Sequence, residues 1–151
     1  MQRRRARAIT REIYPKPKDT GGKLVRLAIA TLREAGASLP LDSDILIAVS
    51  GGSDSIALGH LIARYGRRIA GQGRANVRWI HFNHGWRGAE SDADARFVAA
   101  LARKLGVPCK VQRLAMPPQK GASWEAVARE ARNEALAKEA ARTGAVIFTT
   151  I

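Results

Sequence analysis

Apolar and polar residues alternate along the chain in two distinct rhythms. Four short runs of branched and aromatic residues, bounded by glycine, proline or polar residues, have the composition of buried strands. They are residues 45–49, 77–82, 107–114 and 145–150. Four longer stretches repeat apolar residues at helical spacing. They are residues 24–35, 53–65, 90–105 and 124–143. The alternation predicts an α/β domain, a parallel sheet flanked by helices.

Two side-chain patterns predict which residues enter the core. Trp79 alternates with apolar neighbours and is therefore predicted to be buried. Residues 90–105 are predicted to form a helix whose apolar stripe faces the sheet. The stripe consists of Ala93, Phe97, Val98, Leu101 and Leu105.

The predicted topology places the chemistry at one edge of the sheet. Right-handed crossovers put the carboxyl ends of parallel strands on the same edge, where ligands of such sheets bind. Three segments at the carboxyl ends of predicted strands should meet there: Ser50–Ser55, His81–Arg87 and Thr149–Ile151.

The segment Ser50–Ser55 joins the first strand to the next helix. Its two glycines allow a tight turn that presents backbone N–H groups to a ligand. Ser53 is a good helix N-cap, and the carboxylate of Asp54 suits the positive end of the helix. The segment therefore predicts a phosphate site, although it matches neither G-x-x-x-x-G-K-[ST] nor G-x-G-x-x-G. The alternative is an ordinary turn built from small residues.

The chain is strongly basic. It has 151 residues and a formal net charge of +13, and residues 1–20 are especially rich in arginine. We expect residues 1–21 to form a flexible basic arm and residues 22–151 to form the domain. A positive field of this kind attracts nucleic acid, but a solubilising surface is an equally simple explanation.

Cysteine content and hydropathy narrow the class of protein. Cys109 is the single cysteine, so the sequence contains neither a disulfide pair nor a C-x-x-C site, and we interpret Cys109 as a small core residue. We find no apolar run as long as a membrane span. Pro15 and Pro17 would break an amphipathic transit helix. These features favour a cytoplasmic protein with no membrane partner.

Several sequence blocks together resemble a known family. The string SGGSDS at 50–55 matches the S-G-G-x-D-S pyrophosphate loop of the N-type ATP pyrophosphatases. Further blocks follow in the family's order: His81–Arg87 with Glu90–Asp94, Leu105–Pro108, Trp124–Arg132 and Gly144–Thr150. Residues 22–151 resemble the N-terminal ATP-binding domain of the tRNA(Ile)-lysidine synthetases. The resemblance implies a PP-loop ATPase fold, which is adenine nucleotide alpha hydrolase-like.

The resemblance also implies a reaction. The family uses ATP to adenylate the C2 carbonyl oxygen of the wobble cytidine of tRNA(Ile), and free L-lysine then displaces AMP to give lysidine. The backbone of Gly51, Gly52 and Ser53, with the hydroxyls of Ser50 and Ser55, would hold the pyrophosphate. Asp54 would bind Mg²⁺ or position the pyrophosphate, unless it only stabilises the helix.

Other implied roles fall on His84 and on the helix at 124–143. His84 is expected either to contact the nucleotide or to make a structural hydrogen bond. Arg129 and Arg132 lie on one helix face and are expected to reach phosphate or substrate, a solvated face being the alternative. Glu125 is expected to position Arg129. Trp86 replaces the family's usual leucine and either covers the adenine or caps the sheet edge.

The sequence departs from the family pattern at two places. Asn83 stands where the family often has aspartate. The family's H-x-x-D-D-x-x-E-T block, fifth strand and C-terminal domains do not follow residue 151, so we expect a fragment, a truncated product or half of a split enzyme completed by a second chain. Such a chain should bind nucleotide weakly and make no lysidine alone. The competing hypotheses are a tRNA thiolation enzyme, which the single cysteine disfavours, and a non-catalytic nucleotide- or RNA-binding remnant.

Overall fold

The computed structural model describes residues 44–69, 76–115, 121 and 123–150, with positions 23, 27 and 30, and residues 66–69 by their backbone only. The predicted basic arm and almost all of the predicted helix at 24–35 lie outside the described residues. The described elements are β1 (Ile45–Ala48), α1 (Ser53–Ile69), β2 (Val77–Asn83), α2 (Ala89–Leu105), β3 (Cys109–Arg113), α3 (Trp124–Thr143) and β4 (Val146–Phe148). The predicted alternation of strands and helices is confirmed, although β3 and β4 are shorter than predicted and α1 is longer.

The four strands form one parallel sheet in the order β3-β2-β1-β4. In its register, Ile47 of β1 lies between Trp79 of β2 and Phe148 of β4. The chain first builds outward from β1 through β2 to β3. It then crosses back to place β4 on the other side of β1. The strand order therefore reverses at β1, and in open parallel sheets such a reversal opens a crevice at the carboxyl ends of the strands.

Side-chain alternation along the strands divides the core into two layers. On one face, Ile45 and Ile47 pack with residues of α1 and α2. On the other face, Leu46 and Ala48 pack with Leu136 of α3. The sheet is therefore covered by α1 and α2 on one side and by α3 on the other, as predicted for a parallel sheet.

Trp79 is the largest fully buried side chain among the described residues and lies close to Gly59 of α1. A Cβ atom added at Gly59 would lie 2.6 Å from Cζ2 of the indole. Glycine at this position therefore lets the helix lie directly on the ring. The predicted core position of Trp79 is confirmed.

The predicted apolar stripe of α2 is partly wrong. The helix buries Ser91, Ala95, Val98 and Ala102, whereas Phe97 is 55% exposed. The buried face consists mostly of small residues, which let α2 approach the sheet closely. A Cβ atom at Gly51 would lie only 3.7 Å from Cγ2 of Val98, so the same face also packs against the turn after β1.

Among the helices that the structure describes, none has the length and apolar character needed to cross a bilayer.

Candidate functional site

A cavity of about 800 Å³ opens at the carboxyl edge of the sheet, around the point where the strand order reverses. The turns after β1, β2 and β4 contribute to its wall, together with α2 and α3. Its polar lining comprises Ser50, Gly51, Gly52, His81, Asn83, His84, Arg87, Ser91, Asp94, Arg129, Arg132, Asn133, Thr149 and Thr150. The predicted convergence of three segments is therefore present in the described residues, and Ile151 lies outside them.

The turn after β1 is held together from inside by Ser55. The side chain of Ser55 is buried, its hydroxyl oxygen accepts a hydrogen bond from the backbone N–H of Ser50 at 3.1 Å, and it donates to the carbonyl of Gly52 at 3.0 Å. The Ser50 hydroxyl lies 3.0 Å from the Ser55 hydroxyl and accepts from the N–H of Gly52 at 3.3 Å. These bonds fix the shape of the loop without a ligand. Ser50, Gly51 and Gly52 line the cavity, whereas Ser53, Asp54 and Ser55 do not.

The two glycines of this loop are needed for different reasons. Gly51 has a φ of 100°, a conformation that side chains other than hydrogen disfavour. At Gly52, an added Cβ would meet only the hydroxyl of Ser50, at 3.5 Å. Glycine at 51 is therefore needed for the backbone turn, whereas glycine at 52 leaves open space on the cavity wall.

Asp54 and Asp94 are the carboxylates relevant to a metal ion at this loop. Asp54 is exposed in the first turn of α1, where it accepts a hydrogen bond from the Ser53 hydroxyl at 3.4 Å. Asp94 lines the cavity. Within the described part of the chain, no three acidic, histidine or cysteine side chains cluster as a metal site would need. Mg²⁺ bound with a nucleotide needs only one or two carboxylates, because the phosphates supply its other ligands.

Two buried polar side chains, His81 and Asn83, fix the end of β2. His81 is 3% exposed, and its Nδ1 donates to the backbone carbonyl of Val49 at 2.8 Å. This bond ties the end of β2 to the end of β1, beside the glycine turn. The sequence reasoning did not select His81 as a site residue. Its position at the end of a predicted strand, two residues after the buried Trp79, was the available signal.

Asn83 explains one departure from the family pattern. Its amide nitrogen donates to Oδ1 of Asp92 at 2.7 Å, and its amide oxygen accepts from the N–H of Gly85 at 2.9 Å. The amide thus joins the turn after β2 to the first turn of α2. An aspartate at 83 would place two carboxylates in contact, so asparagine is matched to Asp92 at this site.

Arg87 is a cavity residue that the sequence reasoning passed over. Its guanidinium pairs with Glu90 at 3.2 Å and with Asp94 at 3.8 Å, and its backbone N–H donates to the Ser91 hydroxyl at 3.2 Å. These contacts fix the guanidinium on the cavity wall and partly offset its charge. The arginine within the family-like block at 81–87 was the signal that could have identified it.

His84 is half-buried on the cavity wall, and its ring lies 5.1 Å from that of Trp86. Burial and, to a smaller degree, the positive charge of Arg87 lower the pKa of His84 below its usual value. The ring is therefore mostly uncharged at neutral pH, which suits a hydrogen-bonding or stacking contact better than the binding of an anion.

Arg129 and Arg132 of α3 both line the same cavity. No described carboxylate forms an ion pair with either of them, and the expected pair between Glu125 and Arg129 does not form. Both guanidinium groups are thus available to an anion, and their planar forks suit phosphate oxygens.

A sequence model described as a PP-loop domain matches residues 28–151. The chain belongs to the PP-loop family. The tRNA(Ile)-lysidine synthase of Burkholderia mallei is 40% identical over 120 residues, which are 80% of this chain and 23% of the relative. The enzyme of the same name from Dehalococcoides mccartyi is 38% identical over 104 residues, 67% of this chain and 21% of the relative. The chain thus spans about a fifth of the length of these curated relatives.

Solved structures confirm the PP-loop fold. A U34-tRNA thiolase from Methanococcus maripaludis superposes with a TM-score of 0.67 at 16% identity, covering 87% of this chain and 46% of the thiolase. An NAD+ synthetase from Burkholderia pseudomallei superposes with a TM-score of 0.55 at 19% identity, covering 97% and 69%. Identities this low establish the fold alone.

Proposed function

We propose that this PP-loop domain activates the wobble cytidine of tRNA(Ile) with ATP, so that lysine can replace the activated oxygen. The observation that carries the proposal is the cavity itself. It joins a glycine turn at a helix N-terminus to two arginines that are unpaired among the described residues. The substrate is taken from the lysidine synthases that match this chain, one of which is 40% identical to it over 120 residues.

The phosphate chain of ATP would lie along the turn after β1. The backbone N–H groups of Gly51, Gly52 and Ser53 stand at the N-terminus of α1, where the helix dipole favours negative charge. Ser55 would contribute by holding the loop in shape, and Ser50 by its place on the cavity wall. Asp54 would hold Mg²⁺, which supplies charge neutralisation to the phosphates.

The proposed chemistry has two displacement steps. The C2 carbonyl oxygen of cytidine attacks the α-phosphorus of ATP, the bond to the β-phosphate oxygen breaks, and pyrophosphate leaves. The amino group of lysine then attacks C2, and the C2–oxygen bond breaks as AMP leaves with that oxygen. The amine loses a proton in the same step. Both leaving groups are phosphate anions, which is the charge that the cavity arginines complement.

Arg129 and Arg132 would bind the phosphate that accumulates charge in each step. They lie on α3 and line the same cavity as the glycine turn that precedes α1, so they are available to a phosphate chain held by that turn. His84 would contact the nucleotide base or ribose as an uncharged ring. These assignments make Asp54, Arg129 and Arg132 the proposed catalytic residues.

The position of Cys109 does not favour thiolation. The thiol is half-buried in β3, packs against the core and does not line the cavity. Burial raises its pKa above the usual value, so little of the reactive thiolate forms.

A chimera provides the test of this function. The matching 120 residues of this chain would replace their counterpart in the Burkholderia mallei lysidine synthase, and lysidine in tRNA(Ile) would be measured by nucleoside mass spectrometry. We expect lysidine from the chimera, and a loss of about 100-fold in rate after Arg132→Gln, because a charge-assisted contact to phosphate is removed. Arg103→Gln, an exposed arginine of α2 away from the cavity, is the matched control. A folded chimera that binds ATP and tRNA but leaves cytidine unmodified would contradict the proposal.

A further inference from the structure

Two tryptophans from different elements meet at the surface of the domain. Trp86, in the turn after β2, is 40% exposed, and Trp124, the first residue of α3, is 51% exposed. Their ring centroids lie 5.6 Å apart with an interplanar angle of 81°. This edge-to-face contact, here called the Trp86–Trp124 pair, holds both indoles without burying them.

The Trp86–Trp124 pair lies at the rim of the cavity and not inside it. Neither tryptophan contributes to the cavity wall, whereas His84, whose ring contacts Trp86, does. Ala128, one helical turn after Trp124 on the same face of α3, also lines the cavity. A mononucleotide filling the cavity would leave the pair to a longer ligand that extends past the rim.

Arginines lie around the pair. Arg129 and Arg132, which form no ion pair with a described carboxylate, line the adjacent cavity. The charge of Arg87, which also lines it, is offset by Glu90 and Asp94. On the other side of the turn, the guanidinium of Arg113 lies 3.2 Å from the position that a Cβ atom of Gly85 would occupy. Exposed indole faces combined with arginines are the two features by which proteins bind single-stranded nucleic acid, through base stacking and phosphate contacts. An apolar protein partner would account for the tryptophans but not for the arginines.

We propose that the Trp86–Trp124 pair is a stacking platform for an unpaired base of the RNA substrate, next to the base that enters the cavity. The inference rests on the proposed function, because it takes RNA as the ligand. It adds a binding subsite outside the nucleotide cavity. It also gives Trp86, where leucine is usual in the family-like block, a specific role.

Binding measurements on the full chain test the platform. The RNA probe is a 17-nucleotide hairpin with a seven-nucleotide loop, and a fully paired duplex of equal length is the comparison. Trp86→Leu with Trp124→Leu should weaken hairpin binding about tenfold, because stacking on both rings is lost. Duplex and ATP affinities should change less than twofold. Phe97→Leu, which removes an exposed aromatic ring from the outer face of α2, is the matched control and should change none of them. Phenylalanine in place of leucine at position 86 (Trp86→Phe) should retain part of the hairpin affinity, because one stacking ring is kept.

The outcomes separate the platform from the proposed reaction. Hairpin affinity that is unchanged in the double variant, with circular dichroism showing a native fold, would overturn the platform. Loss of ATP affinity with hairpin binding retained would assign the pair to contact with the adenine. That result would also overturn the platform. An equal loss of hairpin and duplex affinity would also contradict stacking on an unpaired base. None of these results depends on lysidine formation, so a failure of the chimera and a failure of the platform remain distinguishable.

Discussion

Gly51 and Gly52 are adjacent but carry different constraints, and this difference allows a clean mutational test of the phosphate loop. Gly52→Ala adds a methyl group where the fold has room, at 3.5 Å from the Ser50 hydroxyl, but where a phosphate would approach the backbone. We expect unchanged thermal stability and about tenfold weaker ATP binding by calorimetry. Gly51→Ala should instead lower stability by about 1 kcal/mol, because of the φ of 100°. Normal ATP affinity in folded Gly52→Ala would refute the assignment of the loop.

The Asn83–Asp92 hydrogen bond provides a second test at the residue scale. Asn83→Asp replaces a 2.7 Å amide–carboxylate bond with two carboxylates at a site that is 7% exposed. We expect a loss of about 2 kcal/mol at pH 7 in chemical denaturation, which becomes smaller as acid protonates one carboxylate. The exchanged pair, Asn83→Asp with Asp92→Asn, should recover most of the stability. A single variant as stable as the parent would show that the contact is unimportant.

At the residue scale, local sequence patterns identified several residues that the structure brings to one cavity, while their roles in binding stay predictions. The glycine turn and the spacing of Arg129 and Arg132 are local features, and the structure places Gly51, Gly52 and both arginines at one cavity. The role of Ser55 inside the loop was not predictable, because it depends on hydrogen bonds to Ser50 and Gly52 that form only in the folded turn. His81 was missed for a similar reason, since its partner is a carbonyl 32 residues away.

Between elements, the packing of α1 on Trp79 predicts that a helix-favouring substitution will destabilise the protein. Gly59→Ala improves helix propensity by about 1 kcal/mol, but its Cβ would lie 2.6 and 2.9 Å from two atoms of the indole. Overpacking of this kind costs about 1–3 kcal/mol, so we expect a net loss of about 1 kcal/mol in urea denaturation. The cost should shrink in a Trp79→Phe background, which removes the atoms that clash. A gain in stability from Gly59→Ala would show that the helix can move away from the ring.

Glu139 links α3 to β3 and should make the domain sensitive to acid. Its carboxylate accepts hydrogen bonds from Arg142 at 2.7 Å and Lys110 at 2.8 Å, and these lower its pKa to about 2 from 4.5. A depressed pKa stabilises the fold above about pH 4.5, and that contribution is lost as the pH falls toward 2. Glu139→Gln should therefore lower the free energy of unfolding by about 1 kcal/mol at pH 7 and by progressively less in acid. The loss is small because Lys110 and Arg142 are at least half-exposed.

The control for Glu139 is Glu134 on the same helix. Glu134 pairs with Lys138, but both side chains are largely exposed. Glu134→Gln should therefore change the unfolding midpoint little at any pH. A Glu139→Gln variant whose stability runs parallel to that of the parent from pH 7 to pH 2 would contradict the predicted linkage.

At the element scale, periodicity predicted which segments are helices and strands, but not the rotation of each helix. In α2, Phe97 was expected to face the protein core, but it is exposed. Ala95 and Ala102 are buried there instead. The close approach of α2 to the turn at Gly51 decides this, and a hydropathy pattern contains no information on approach distance.

For the whole molecule, the sequence predicted a parallel sheet with ligands at its carboxyl edge, and the fold confirms the sheet. The strand order was not predicted. The crossover that returns the chain to β4 on the far side of β1 is what opens the cavity beside the glycine turn. Local sequence patterns do not specify which side a strand joins, because that choice depends on the packing of α3 against Leu46 and Ala48.

The most direct test of the central claim is an amide nuclear magnetic resonance titration of the 16.3 kDa chain with Mg²⁺-ATP. The claim is that ATP phosphates bind the turn after β1, at the edge where the strand order reverses. We predict that the largest amide shifts fall on Gly51, Gly52 and Ser53, and that adenosine without phosphates does not reproduce them. Shifts that instead cluster around the smaller pocket of α1 near Ala57 and Leu61, or the absence of shifts in the turn at saturating ATP, would contradict the account.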